Sequence, residues 1–258
     1  NPSLPGGTTI QVRLDKSNVN VANAVSKAVS DAMLKTIEEQ GFEVPISVDA
    51  GDAIYGKGAK FMDFFVPGIM AFVVFLLTTL LTLISFVGER TSGNLERLQA
   101  TPLRESEIVI GYAIAFSIIG MLQTVVLLTI GVLVFNIMIV GNIFLAFLVI
   151  ALLAIVSLSL GILLSSLAKR EAQAIQFFPI IVLPTFLLAG IFWPVEAIPS
   201  WLRPLSYAIP PSYAVDATRS VMLRGWGIGG IWIDLVALFG FAVAFLALAI
   251  WSLKRVRA

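Results

Sequence analysis

The 258-residue chain contains no cysteine, no histidine and little charge. Without cysteine there is no disulfide, no CxxC redox chemistry and no thiolate metal site. Without histidine, zinc hydrolase chemistry, histidine-based triads and imidazole haem ligation all lose their usual residue. Charged residues make up 13% of the chain, against about 25% in an ordinary soluble protein. The 17 basic and 16 acidic residues nearly cancel, leaving +1, so there is no electrostatic case for a nucleic-acid partner.

What is present is apolar. Hydrophobic residues account for 58% of the sequence and the mean hydropathy is +0.96. Between Glu107 and Lys169 lie 61 consecutive residues without Asp, Glu, Lys or Arg. A bilayer core about 30 Å thick needs about 20 apolar residues per helix, so that interval alone holds two crossings. The fold class expected is an all-α polytopic membrane protein with a small α+β outer domain at its N-terminus.

Residues 1–60 hold 13 of the 33 charges and read as a separate aqueous domain. Thr8–Leu14 is β-rich, Val21–Glu39 repeats apolar residues at helical spacing, and Phe42–Val48 reads as a second strand. Residues 61–258 then read as a transmembrane domain of five spans: Phe64–Val87, two helices filling the charge-free interval around Asn136–Asn142, Ala172–Phe192 and Ile231–Leu253. The stretch Trp193–Gly230, with five prolines, suits short re-entrant or interfacial helices near 193–228 better than a span.

Lys and Arg in the short loops set the orientation. Arg90, Arg97, Arg104, Lys169, Arg170, Lys254, Arg255 and Arg257 fall on one side, and Arg203, Arg219 and Arg224 on the other. The first side is expected to be cytoplasmic, which puts residues 1–60 outside. An exported N-terminal domain needs a helix before Asn1 to carry it across, so six spans are expected in the native chain.

The loop after the first span, Gly88–Leu103, is the most informative segment. Leu95 and Leu98 share one side of a short helix, with Glu96, Arg97 and Gln99 on the others. Thr101-Pro102 reads as an N-cap followed by proline at the first position of the next span. The helix is either an interfacial connector or a docking helix that offers Leu95 and Leu98 to a groove on a cytosolic partner. Thr78, Thr82 and Gln123, polar residues inside spans, either line a pathway or bond between helices. Ser157, Gly161 and Ser165, four residues apart, favour close helix packing. Trp193, Trp201, Trp226 and Trp232 suit an aromatic belt, with a stacking platform for sugars as the other reading. Asp234 suits an interfacial helix start. Glu196, in the outer hairpin, either gates exit, pairs with Arg203 or is a solvated hairpin charge.

Phe86–Leu98 (FVGERTSGNLERL) followed by Thr101-Pro102-Leu103 resembles the "ERE.GTLE.L..TPL" stretch of ABC type-2 exporter permeases, with Thr91 and Asn94 in place of the commoner glutamate and threonine. Gly190–Pro199 (GIFWPVEAIP) resembles that family's "G.FFP.E.MP" exit segment, and Trp201-Leu202, Pro210–Ala214 and Arg219 continue the match. The resemblance implies a permease subunit from the drug and lipid export branch, paired with a second permease subunit as a homodimer or heterodimer. Glu89, Arg90, Gly93, Leu95, Glu96, Leu98, Thr101 and Pro102 would form the coupling helix region (residues 89–103). Phe192, Pro194, Glu196, Pro199, Pro211 and Tyr213 would form the outer exit segment. A cytosolic ABC ATPase subunit would bind ATP and Mg, and this chain would bind no cofactor. Its own closest glycine-lysine run, Gly56–Lys60, lacks P-loop spacing. The expected setting is a bacterial or archaeal plasma membrane, with lipids around a multi-pass chain. The competing reading is a non-transporting scaffold or sensor that signals through the cytoplasmic loop.

Overall fold

The computed structural model describes residues 61–168 and 170–257, together with Ala28. The chain divides into two units, Asn1–Phe61 and Met62–Ala258; only the second is developed below. The β-α-β arrangement expected of residues 1–60 lies outside the described residues.

Among the described residues there is no strand. Five long helices carry apolar stretches sufficient to cross a membrane: α1 (Phe61–Thr91), α3 (Glu105–Leu133), α4 (Ile143–Ser165), α5 (Glu171–Leu188) and α8 (Ile228–Arg257). A helix satisfies most of its backbone internally, which is what lets a segment sit in hydrocarbon. Between them lie the short α2 (Asn94–Gln99), a 3-10 turn at Val195–Ala197, α6 (Arg203–Tyr207) and α7 (Pro210–Arg224). The five expected spans are therefore present, with ends shifted by a few residues.

The helix ends follow local chemistry. Asn142 caps α4, its side-chain oxygen accepting the Phe144 N–H at 2.8 Å. Two prolines open α7, and Gly225, at φ 70°, closes it in the left-handed conformation that an end glycine adopts without strain.

Helix α4 is the centre of the bundle. Val149, Ile150, Leu153, Val156 and Leu158 are fully buried. Its small residues meet α1: a Cβ on Gly161 would stand 2.8 Å from the Thr79 carbonyl and 2.9 Å from Thr82 Cβ. The Thr79 hydroxyl donates to the Ser157 carbonyl at 3.2 Å. The Ser157–Gly161–Ser165 spacing thus serves close packing, as its small side chains suggest. Burial falls steeply outward, from 61% of the apolar stretch in α4 and 56% in α1 to 17% in α8 and 11% in α5.

Helix α7 departs from an interfacial helix lying free. It packs on α4 and α8, and most of its residues are buried. The loop before α4 is tied to it by the Val140 N–H donating to the Met222 carbonyl at 2.8 Å. The same loop is tied to α1 by the Met138 N–H donating to Asp63 Oδ1 at 2.7 Å.

Candidate functional site

Apart from Thr78, Thr82 and Gln123, the functional residues proposed from the sequence gather in two places, the α1–α2 turn and the segment after α5. At the first, α1 runs into a tight turn in which the Ser92 N–H donates to the Gly88 carbonyl and the Gly93 N–H to the Arg90 carbonyl. Gly93 has φ 74°, which reverses the chain and starts α2 at Asn94. A six-residue helix does not persist alone in water, so its packing decides whether it forms.

That packing comes from Leu95. It is only 2% exposed and sits in a cluster with Phe86, Ile108, Leu158, Ile162 and Leu253. Leu98 is half-buried against the same cluster. Of the two readings the sequence allows, this departs from the docking one in its detail, since the leucines are not offered outward. Both are anchors to the chain's own bundle, because α1, α3, α4 and α8 supply the apolar surface that the helix needs. The outward face of α2 is polar instead, with Asn94, Glu96 and Arg97 exposed; Thr101, Pro102, Leu103 and Arg104 are exposed in the link that follows.

Thr101 also departs from expectation. Its hydroxyl turns back to donate to the Leu98 carbonyl at 2.6 Å, closing the end of α2 rather than capping the next helix. Helix α3 starts later, at Glu105. There the Glu107 carboxylate accepts the Arg104 N–H at 2.8 Å, supplying the cap that Thr101 does not.

Two contacts join this turn to the neighbouring loop. Arg90 Nη1 donates to the Ala168 carbonyl at 3.2 Å. Glu171, at the start of α5, stands 3.1 Å from where a Cβ on Gly88 would lie. Glu89, beside them, is half-buried. The α1–α2 turn and the α4–α5 loop are therefore in direct contact.

At the far end, α5 stops at Leu188 and the chain turns at Gly190, φ 75°. Phe192 is half-buried, with its ring 4.5 Å from Phe186 and 5.2 Å from Phe65. Pro194 precedes the 3-10 turn, in which Glu196 is exposed. Arg203 Nη2 donates to the backbone carbonyl of Glu196 at 2.7 Å, a link through the main chain where the sequence suggested an ion pair. Pro199 is exposed and Pro211 is buried at the start of α7.

The Ser212 hydroxyl donates to the Ser206 carbonyl at 2.7 Å, and the Tyr213 hydroxyl to the Tyr207 carbonyl at 2.9 Å. These bonds fasten α7 to α6. Burial pushes the Tyr213 phenol above its ordinary value, with Tyr207 and Asp234 adding to the effect. Trp193, Trp201, Trp226 and Trp232 are all substantially exposed at this end, the distribution of an interfacial belt.

Arg219 is the residue whose role the sequence did not reveal. Counted there as a loop charge, it is 5% exposed. Its Nε donates to the Phe64 carbonyl at 2.9 Å and its Nη1 to the Gly190 carbonyl at 2.5 Å. Its Nη2 donates to the Ile191 carbonyl. The guanidinium carbon lies 3.7 Å from the centre of the Phe64 ring. The sequence signal was its place in the family match, which did not say what the side chain touches.

The polar residues weighed as a pathway are placed inside the packing. Thr78 is 2% exposed and Thr82 fully buried. The Thr78 hydroxyl donates to Gln123 Oε1 at 2.8 Å, joining α1 to α3.

Comparison with known proteins agrees with this architecture. The family model described as ABC-2 type transporter matches residues 9–223. The chain is similar to ABC transporter G family member 20 of Dictyostelium discoideum, at 33% identity over 204 residues, covering 78% of this chain and 28% of that protein. It is also similar to the probable multidrug ABC transporter permeases YbhR and YbhS of Escherichia coli K12. Each is 25% identical, over 88% and 95% of this chain and 62% and 67% of theirs. The chain thus spans less than two thirds of the length of the first two relatives. With five described helices long and apolar enough to cross a membrane and a family match over most of its length, the chain belongs to the ABC-2 type transporter family.

Proposed function

We propose that this chain is the membrane permease part of an ATP-driven exporter, working beside a second permease subunit and a separate ATP-binding subunit. ATP and Mg are held by that ATP-binding subunit, and the work reaches this chain through α2. The observation that carries the reading is the two-sidedness of α2. Leu95 fixes one side to four spanning helices, while Asn94, Glu96 and Arg97 face away from the bundle. A push on the polar face would therefore be delivered to the whole bundle.

The α2 end is cytoplasmic on this reading, following the excess of Lys and Arg there, and residues 1–60 lie outside a bacterial or archaeal plasma membrane. The substrate is hydrophobic or amphipathic, a drug, lipid or glycan-lipid, and moves outward past the Gly190–Pro199 segment. Two similar proteins carry the word multidrug in their names, which supports the drug side of that range. Thr78, Thr82 and Gln123 act in helix packing.

The test uses inside-out vesicles containing the full transporter with its ATP-binding subunit. Fluorescent lipid or dye should move into the lumen with ATP, and Glu96→Lys with Arg97→Glu should abolish that movement while leaving protein levels unchanged. Normal ATP-driven movement by the double variant would sink the coupling role of α2. No ATP-driven movement in the unaltered transporter, for any amphipathic probe, would favour the scaffold or sensor reading.

A further inference from the structure

Helix α5 is the least buried of the five long helices, at 11% of its apolar stretch against 61% in α4. Two internal prolines, Pro179 and Pro184, each remove a backbone N–H and loosen the helix. Elements with little buried contact are the ones that open locally. Among the described residues α5 packs mainly along one side, Ala174 and Phe177 on Leu83 and Val87 and Phe186 on Phe72, so what holds its far end bears on whether the following turn can move.

Ala189 and Ile191 are buried in the core at that end, and its polar tie is Arg219. The guanidinium comes from α7, stacks on the Phe64 ring of α1, and donates to carbonyls on both α1 and the turn after α5. Two of these bonds go to consecutive residues of the turn, Gly190, whose positive φ makes the reversal, and Ile191, which follows it. Charge-assisted bonds of this kind are about twice as strong as neutral ones, and the guanidinium fork fits two adjacent acceptors as no other side chain does. Helix α1 is shaped to admit the group. A Cβ on Gly68 would stand 2.8 Å from Arg219 Nη2 and 3.3 Å from the Ile191 Cα, so only glycine leaves room for both.

We propose that the Arg219 guanidinium is the latch of the exit turn: it holds Gly190 and Ile191 against the start of α1, and its release from those two carbonyls frees the turn and the end of α5 to move. Arg219 is a positioning residue. The Phe64 ring and carbonyl keep the charge satisfied on the α1 side while the turn lifts, so opening does not strand a bare cation in the protein. The consequence for transport rests on the exporter reading above; the latch itself does not.

The absence of cysteine makes a clean test possible. In the full transporter with its ATP-binding subunit, a thiol is placed at Ile191 (Ile191→Cys), which is fully buried. A second version carries it at Leu158 (Leu158→Cys), fully buried in the cluster at the opposite end. Labelling by N-ethylmaleimide is followed without ATP. Arg219→Gln should speed labelling at 191 by about tenfold or more, the loss of at least one charge-assisted bond. Arg219→Lys, which keeps the charge but not the fork, should give a smaller increase. Gly68→Ala, which crowds the guanidinium while keeping it, should also speed labelling at 191. Labelling at 158 should not change in any of them.

Unchanged labelling at 191 in both Arg219→Gln and Gly68→Ala would overturn the latch. An equal rise at 158 would overturn it too, because Arg219 would then be a staple of the whole fold. A separate arm adds ATP to the transporter with Arg219 intact. If labelling at 191 does not rise there while the Arg219 variants behave as expected, the exporter reading fails and the latch stands.

Discussion

Replacing Leu95 with alanine should undock α2 from the bundle while leaving its polar face chemically intact. Leu95 is 2% exposed, against Phe86, Ile108, Leu158 and Leu253. Truncation of a buried leucine costs about 2–5 kcal/mol, made of lost transfer energy and the cavity left behind. The site lies near the surface and can partly collapse, so about 3 kcal/mol is expected. Helix α2 has six residues and no means of persisting alone, so that loss falls on its docking. The N–H groups of Arg97, Ala100 and Thr101, which donate to Gly93, Glu96 and Leu98, should exchange with deuterium about 100-fold faster, as 3 kcal/mol implies. Arg97→Ala, on the exposed face, should change exchange by no more than about twofold, the usual range for a surface substitution. Unchanged exchange in Leu95→Ala together with loss of partner binding would refute the reasoning, because Leu95 would then face the partner.

Two further outcomes follow from the packing and from the protonation of Tyr213. Gly161→Ala places a methyl 2.8 Å from the Thr79 carbonyl, so it should cost about 1–3 kcal/mol as an overpacked contact and lower the melting temperature in detergent. Because burial raises the Tyr213 phenol above 10.0, the folded state holds that proton more tightly than the unfolded state. Its contribution to stability is present below pH 10 and lost as pH rises through the raised value. Tyr213→Phe should flatten the alkaline limb of a stability-against-pH curve, and an unchanged limb would contradict the assignment.

The spans were legible because a membrane helix needs about 20 apolar residues in a row, and that requirement is written in one stretch of sequence. The short helix carrying Leu95 and Leu98 was legible too. What covers Leu95 was not. Spacing says that Leu95 and Leu98 share a side, but the cluster that receives them includes residues from α3, α4 and α8. A short helix tethered at both ends can turn that side inward or outward with the same sequence. Thr101-Pro102 carries real capping chemistry, yet its hydroxyl found the nearer carbonyl of Leu98.

Arg219 was the least legible. Arg219, counted with Arg203 and Arg224, reads as surface charge, and its acceptors stand 155, 29 and 28 residues away. Thr78 and Gln123, 45 residues apart, show the same limit. Their residue types allow a pathway or a packing bond, and only the fold puts one opposite the other.

The central claim is that the polar face of α2 meets an ATP-binding subunit. Asn94 is exposed on that face, and the chain has no cysteine of its own. A single thiol introduced by Asn94→Cys in the full transporter, joined to nearby amines by a short thiol-to-amine cross-linker in native membranes, measures that contact directly. The account predicts a cross-linked product containing a polypeptide with a P-loop, formed from the cytosolic side and lost when Arg97→Glu is added. A thiol that reacts freely from the cytosol yet captures no such polypeptide would contradict it.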